Sequence, residues 1–474
     1  VLRAGVTVGA GTALGLPVAG AAQPAAAQPA AAQPAAAQPV AAQPADADAR
    51  ELAAILARIR PPTFPAREFA ITAYGARGDG ATDCRPAFAQ AIAACNAAGG
   101  GRVVVPAGTW LSNGPIHLKS RVELHLADGA TVRFSAEPAH YLPLVLTRWE
   151  GTECHNYSPL VYAYQATGVA ITGRGTLDGN GKAGFAGWRA RQDADVNRLR
   201  QMGIDGVPVH ERVFGPGHFL RPGTVQFWGC RDVLVEGVSL VDMPFWGIHP
   251  VYCQNVTVRG VTVRSHNPNN DGVDPESSTD VLVERCTFDT GDDCIAIKSG
   301  RDQDGWRVGQ ASENIVVRDC DMTSLKAALC LGSEMSGGIR NVFLHDIRVG
   351  KTFTGIYFKT NLDRGGAITH VRIRDVPMQE AELFVNFTTA YQGYRGGNHP
   401  PEVRDVRIER VTCRRAKTGI RAVGVPASPL RDLVLRDVRV DETPAPHEIR
   451  HVTGLRLENV RLNGAPLALP STIG

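Results

Sequence analysis

One arrangement of apolar and polar positions recurs through the second half of the chain. A small polar residue is followed by alternating apolar positions, as in DVLVEGVSL from Asp232, NVTVRGVTV from Asn255, DVLVERCTF from Asp280 and NIVVRDCDM from Asn314. The series continues with NVFLHDIRV from Asn341, HVRIRDVPM from His370, DVRIERVTC from Asp405, DLVLRDVRV from Asp432 and GLRLENVRL from Gly454. Alternation with period two marks strands with one buried face. Start-to-start spacings of 22 to 35 residues give units too small to bury that face alone, so the units must stack. The pattern predicts an all-β, right-handed parallel β-helix with one unit per coil and the extra residues of longer units looped out on one side. Asn and Asp at the unit start suit left-handed or Asx turns between strands. The Leu-x-x-Leu-x-Leu frame of leucine-rich repeats is absent, and hairpin signals such as Asn-Gly, which a β-sandwich would need, are few.

An open sheet edge invites aggregation, so the ends of such a stack need caps. Residues 82–98, TDCRPAFAQAIAACNAA, combine Thr82 or Asp83 as an N-cap with helical apolar spacing. They predict an N-terminal capping helix over the first coil, and GGGRVVVPAGTW then supplies the first strand. The β-helix domain is assigned to residues 65–474. Residues 1–22 are small and apolar and include Ala19-Gly20-Ala21, the pattern of a cleavable signal peptide. Residues 23–64 read as a linker with a short helical lead-in; its tandem AAQP units carry Pro every fifth residue, which blocks a regular helix and favours an extended spacer. The expectation is an exported, periplasmic or extracellular protein without a membrane span.

Net charge is +3, so no polybasic signature points to nucleic acid, and an anionic partner would have to be met by local Lys or Arg. The ten cysteines form no CxxC pair, which removes the zinc and thioredoxin signatures. Cys286 and Cys320 occupy equivalent places in successive units, where stacked buried thiols and a disulfide are equally compatible with the pattern. No cofactor or metal is expected, and the chain is taken as a monomer.

A second strand in each coil aligns FWGIHPV (245–251), NDGVDPE (270–276), DDCIAIK (292–298), KAALCLGS (326–333) and FTGIYFK (353–359). Ile248, Val273, Ile295, Leu329 and Ile356 then stack inward, and the alternate positions face out. That outer face collects Asp271, Asp274, Asp292, Asp293, Lys298, Lys326, Tyr357 and Lys359. Coils stack at roughly 4.8 Å, which forces Asp271, Asp292 and Asp293 close together. Like charges so close raise at least one pKa, the condition for a general acid beside a general base. Glycoside hydrolysis needs that pair. Structural capping by the aspartates, and calcium binding by the cluster, are the competing readings.

NNDGVDPES, TGDDCIAIKSG and LGSEMSGG resemble the signature blocks of glycoside hydrolase family 28, the polygalacturonase family, with similarity from about Phe69 to the C-terminus. ITAYGARGDGATD resembles the entrance segment that this family shares with related pectin-active β-helices. The resemblance implies a hydrolase of pectic, galacturonate-containing polysaccharide that inverts the anomeric centre. It makes Asp292 the general acid and Asp271 and Asp293 the holders of the attacking water. It makes Asn269 an orienting group for Asp271 or substrate, Lys359 the ligand of the sugar carboxylate, and Tyr391 a late substrate contact, with Tyr394 close by.

Two positions depart from the family blocks. Lys326 stands in place of the Gly-His-Gly histidine, and Tyr357 in place of the Arg of Arg-x-Lys. Tyr lacks the bidentate fork of Arg for carboxylate, so the substrate shell is altered while the carboxylate trio is kept. Lys326 follows Asp293 by 33 residues and Lys359 follows Lys326 by 33, which predicts projection from successive coils. Lys298 falls in the column of Lys359 with Gly332 between, leaving room for a sugar ring flanked by two ammonium groups. All these residues are candidates for substrate binding. A β-eliminating polysaccharide lyase, with Lys326 or Lys298 as base, and a non-catalytic glycan-binding β-helix are the alternatives. The long 179–223 segment is placed to close one end of a groove and favours exo action.

Overall fold

The computed structural model describes residues 44–392 and 395–468. The expected signal peptide, the AAQP units up to residue 43 and Tyr394 lie outside the described residues. A compact unit spans Asp48–Gly474; of the unit before it, Val1–Ala47, only the start of helix α1 (Pro44–Arg58) is described.

The chain winds as a parallel β-helix. One inward column shows the register: Val103, Leu124, Ile171, Val235, Val258, Val283, Val317, Leu344, Ile373, Ile408, Leu435 and Leu457 pair in turn through parallel strands. Each sits where the alternating pattern puts an apolar residue, and from Val103 to Leu435 all are buried in one continuous core. The coils thus begin well before Asp232, the first unit recognisable from sequence.

Every unit start has a left-handed backbone, from Asp232 (φ 56°) and Asn255 (φ 59°) through Asp432 (φ 53°) to Gly454 (φ 66°). Asp and Asn dominate there because they tolerate that region at low cost. A second left-handed position follows five residues later in each unit, from Gly237 (φ 79°) to Asn459 (φ 52°). The unit therefore bends at a corner, which splits it into two short strands in the units from Asp232, Asn255 and Asp280, whereas one strand runs through the bend in those from Asn314 to Asp405. Gly237 needs to be glycine for two reasons, since an added Cβ would lie 2.4 Å from the Gly173 carbonyl oxygen, whereas Gly260 (φ 61°) has open space beside it. Gly237→Ala is expected to cost about 2–4 kcal/mol and Gly260→Ala only about 1–2 kcal/mol. The shift of the urea midpoint measures both, and equal shifts would show that the carbonyl contact is relieved.

Helix α2 (Arg85–Ala97) covers the first coil and buries Ala87, Phe88, Ala91, Ile92 and Cys95. Its first turn is held from outside, because Asp83 Oδ1 accepts from Arg85 N at 3.0 Å and Asn113 N at 2.9 Å. The lead-in is more than a connector. From Asp48 onward α1 lies on the outer sheet face, with Leu52, Ile55 and Ile59 against Leu282, Val316 and Phe343. Asp48 pairs with Arg372 and Arg407, and Arg58 with Asp280. The compact unit thus starts at Asp48, ahead of residue 65.

All ten cysteines are free and buried, so Cys286 and Cys320 are stacked thiols. No helix among the described residues is long and apolar enough to cross a membrane. The 179–223 segment leaves the coil and folds around helix α3 (Asp193–Ile204). Val196 and Leu199 of α3 join Trp149, Phe214, Phe245 and Trp246 in an apolar cluster separate from the main core.

Candidate active site

The strand stack that carries the aspartates has the register read from sequence. Ile248 pairs with Val273, Val273 with Ile295, Ile295 with Leu329 and Leu329 with Ile356. One position later His249, Asp274, Ala296, Cys330 and Tyr357 face outward; two positions beyond that come Glu276, Lys298, Gly332 and Lys359. Before the inward stack, Gly272 N donates to Asp293 O at 2.9 Å, which sets Asp271 beside the Asp292-Asp293 pair. Carboxylate oxygens of Asp271, Asp292 and Asp293 lie within 4.8 Å of one another.

The three carboxyls differ in surroundings. Asp271 and Asp293 are buried and Asp292 is partly exposed, so Asp292 has the access to solvent. Burial, then the neighbouring Asp293 charge, pushes Asp292 up to about 6. Burial also disfavours the charge of Asp293, but the ammonium of Lys359 at 2.8 Å, with Lys298 behind it, outweighs burial and holds Asp293 below its ordinary value. Asp293 Oδ1 further accepts from Ala327 N at 3.1 Å. Asp271 is pushed well above the usual range by burial and by the charges of Asp274 and Asp292, and its Oδ1 has no partner. Asp274, also fully buried, is raised by that burial against the opposing charge of Lys298. The set therefore holds one anion, Asp293, beside carboxyls that keep their protons toward neutral pH.

The cations divide into two groups. Lys359 and Lys298 are both buried. The Lys359 ammonium stands 4.9 Å from the ring centre of Tyr391 and 5.5 Å from that of Tyr357, so the two tyrosines flank it as a cation–π pair. Lys298 lies between Glu334 at 3.4 Å and Asp274 at 3.7 Å and faces the Trp246 ring at 4.5 Å. Burial alone would lower its pKa, but Glu334 and then Asp274 hold it well above the ordinary value.

Asp293, Lys326 and Lys359 project from successive coils, as their spacing predicts, but not at one level. Ile295 pairs with Leu329, and Ala327 with Thr354, while Lys359 pairs with Gly332. Lys326 is level with Asp292, at the opposite strand end from Lys359, and its exposed side chain makes no ion pair among the described residues. Gly332 requires a correction. It leaves no space for a sugar, because a Cβ there would fall 1.9 Å from the Lys359 carbonyl oxygen; glycine serves close backbone approach.

Asn269 is half-buried and accepts from Arg221 Nη2 at 2.5 Å; no hydrogen bond joins it to Asp271. Its neighbour Asn270 is structural, donating to Met243 O and Phe245 O. Arg221 went unnoticed in the sequence. It is the last charged residue of the 179–223 segment, fully buried, with Gln192, Pro244 and Pro268 as its other partners. Burial lowers its guanidinium to about 10, and it brings positive charge to the Asp271 side. Glu334 and Arg301 were also missed, although both stand in or beside the blocks LGSEMSGG and TGDDCIAIKSG.

Comparison with known proteins agrees with this arrangement. The profile of Glycosyl hydrolases family 28 matches residues 217–460, and that of Rhamnogalacturonase A/epimerase, pectate lyase-like matches residues 69–127. A protein described as "Probable polygalacturonase" from Vitis vinifera is 27% identical over 83% of this chain and 77% of its own length. The crystal structure of a hyperthermoactive exopolygalacturonase from Thermotoga maritima is 41% identical and superposes with a TM-score of 0.85, over 89% of this chain and 97% of that one. The family 28 exopolygalacturonase of Yersinia enterocolitica, at 22% identity and a TM-score of 0.68 over 85% of this chain and 80% of its own, shares the fold. The profile covers every coil that contributes a carboxylate or a flanking lysine, and the Thermotoga match extends the likeness across nearly the whole β-helix: the chain belongs to glycosyl hydrolases family 28 and is a glycosidase.

Proposed function

We propose that this glycosidase hydrolyses α-linked galacturonan of pectic material, outside the cytoplasm, with inversion. The observation that carries the chemistry is the asymmetry of the trio: a partly exposed Asp292 near 6 beside an Asp293 held as an anion. Asp292 gives its proton to the departing glycosidic oxygen. Asp293 takes a proton from water, and the neutral Asp271 orients that water through its unpartnered oxygen. Lys359, between Tyr357 and Tyr391, attracts the uronate carboxylate to the trio. The relatives named for polygalacturonase activity support this substrate class.

One oxygen from each member of the trio lies within 4.8 Å of the others, whereas the two carboxyls of inverting enzymes usually stand roughly 6.5–9.5 Å apart. A retaining scheme, however, uses two carboxyls and gives the third no task. The decisive experiment is digestion of polygalacturonate followed by NMR of the first product. New reducing ends in the β configuration, with no ultraviolet absorbance from an unsaturated product, are expected. First release of the α anomer would replace the water with a covalent aspartyl intermediate. An unsaturated product would make the protein a lyase, a reading that the firmly cationic, buried Lys298 disfavours as a source of the base.

Two predictions follow from the protonation states. kcat/KM should decline as pH rises through about 6, where Asp292 loses its proton, and should decline on the acid side only below the ordinary 3.8 of Asp293. An alkaline limb well above pH 8 would remove Asp292 as the acid. A chelator should leave the rate unchanged. One oxygen of Asp293 is already taken by Lys359, and two of the three carboxyls are neutral near pH 5, a poor donor set for a hard cation. Loss of activity on chelation, restored by calcium, would return the trio to a metal role.

A further inference from the structure

Arg221 is fully buried, so no sugar can reach it. Its four acceptors are all neutral: Gln192 Oε1 at 2.9 Å, Pro244 O at 3.1 Å, Pro268 O at 2.5 Å and Asn269 Oδ1 at 2.5 Å. Burial lowers its guanidinium, and the charges of Glu150, Asp271 and Asp292 oppose that lowering. Glu150 is itself paired with Arg200 at 2.7 Å. A buried cation among neutral oxygens is costly, and stability alone is often served as well by an apolar side chain of similar volume. What the guanidinium adds is a rigid fork that reaches several segments at once.

Those segments lead to Asp271. Val225, Ile248 and Val273 pair in successive coils, and Arg221, Pro244 and Asn269 each lie four residues before them. The three therefore stack at one level, and Arg221 reaches across the Pro244 coil to the coil that carries Asp271. Asn269 has a left-handed backbone (φ 58°), the bend that turns the chain two residues before Asp271. Asn270 is held separately, by Ser265 Oγ, Met243 O and Phe245 O. The Asn269 oxygen is taken by Arg221, and Asp271 Oδ1 has no partner, so the backbone turn sets where that oxygen points. At its other end the fork holds Gln192, the residue that opens helix α3. The inserted 179–223 segment and the turn before Asp271 thus share one buried anchor.

We propose that Arg221 is a positioning residue for the hydrolysis: its fork fixes the Pro268–Asn269 turn and thereby the place of Asp271 beside Asp292 and Asp293. The role rests on the reading of Asp271 as a holder of the attacking water. Misplacing a reacting group by about 1 Å costs on the order of 10²-fold in rate, which is the scale of effect a loosened turn should have. The charge of Arg221 has a second consequence. A cation near a carboxyl favours its ionised form, so removing this one should raise the pH at which Asp292 loses its proton.

The test compares Arg221→Lys and Arg221→Gln with the full-length wild-type enzyme on polygalacturonate. Lys keeps the charge without the fork, and Gln keeps neither. Both should lose about tenfold to 100-fold in kcat, with KM within about threefold of wild type. The alkaline limb of kcat/KM should move to higher pH in Arg221→Gln and stay in place in Arg221→Lys. A rise in KM with kcat unchanged, or activity within about twofold of wild type in both variants, overturns the proposal. Limbs that coincide with the wild type in both variants reduce Arg221 to a fold-holding role and overturn it too. Should Arg221→Gln fail to fold, Asn269→Gly removes the contact while tolerating the left-handed backbone; it should reproduce the loss in kcat, and full activity overturns the proposal. A crystal structure of Arg221→Lys decides the geometry without turnover. The turn at Pro268–Asn269 should be displaced by about 0.5 Å or more, and an unmoved turn overturns the proposal. If the wild type cleaves no galacturonan, the galacturonan reading fails, while the turn, displaced or unmoved, still decides whether Arg221 places Asp271.

Discussion

Asp292→Asn is expected to leave the β-helix intact and to lower kcat on polygalacturonate by about 10²–10⁴-fold. The side chain faces outward and is partly exposed. Its Oδ1 accepts one local bond, from Asp293 N at 3.0 Å, and an amide oxygen can keep that bond. The turn is held instead by its carbonyl oxygen, which accepts from Thr290 Oγ1 and Ser324 Oγ at 2.6 Å each. An unchanged melting temperature with abolished turnover is therefore the expected pair of measurements. Under the proposed mechanism, the substitution removes the proton that the leaving oxygen must receive. Substrates with an activated leaving group, such as an aryl galacturonide, need less of that help and should retain more of their rate. Retention of more than a tenth of wild-type activity on polygalacturonate would take the acid role away from Asp292, and would favour a binding protein or another proton donor.

Lys359→Met should affect both stability and rate. Met keeps the hydrophobic stem but leaves the buried Asp293 carboxylate without its partner at 2.8 Å, and breaking a buried pair on one side costs about 3–5 kcal/mol. Asp293 escapes that penalty by taking a proton, and it then cannot act as base. In the wild type its depressed pKa contributes stability that is present above the ordinary 3.8 and is lost as pH falls through the lower folded value. In the variant that contribution vanishes, and the acid limb of kcat/KM moves up toward the alkaline limb of Asp292. The expected result is a narrowed pH profile with a loss of about 10²-fold or more at its maximum. Adding Asp293→Asn should recover most of the stability and none of the activity. A Lys359→Met enzyme that changes KM alone, with the pH profile in place, would mean that Lys359 only recruits the sugar carboxylate.

Much of this could be read from the chain because one constraint recurs in every coil. Asp and Asn mark the corners at Asp232, Asn255 and Asp280 because those side chains tolerate a left-handed backbone. Where other residues take the same conformation the coil is hidden, as at Arg121 (φ 61°) and Gly168 (φ 64°), which open two earlier coils. The corner five residues into each unit was invisible for a similar reason, since Arg285 and Arg410 adopt it as well as Gly and Asp. The carboxylates were legible because they sit on the strand stack, where period two and coil register fix both face and level. Lys326 was placed on its coil by the same register, through Leu329. Arg221, Arg301 and Glu334 act through partners remote in sequence, from Asn269 to Lys298, and no local pattern announces such pairings. The helical lead-in was legible, but its docking was not, because the contacts of Asp48 with Arg372 and Arg407 cross more than 300 residues of chain.

The continuous column of paired rungs has a consequence for durability. In a solenoid each coil touches only its neighbours, so loss of order can begin at a terminus and travel inward one coil at a time. After Ile356, whose strand carries Lys359, the stack continues through Val385, Ile420 and His447. The Val385 rung leads into Tyr391, so the two rungs beyond it, at Ile420 and His447, are the turns that can fray on heating while the site keeps its spacing. Activity should then outlast the first loss of sheet signal, and coils grafted onto that end would lengthen the buffer without retuning the chemistry.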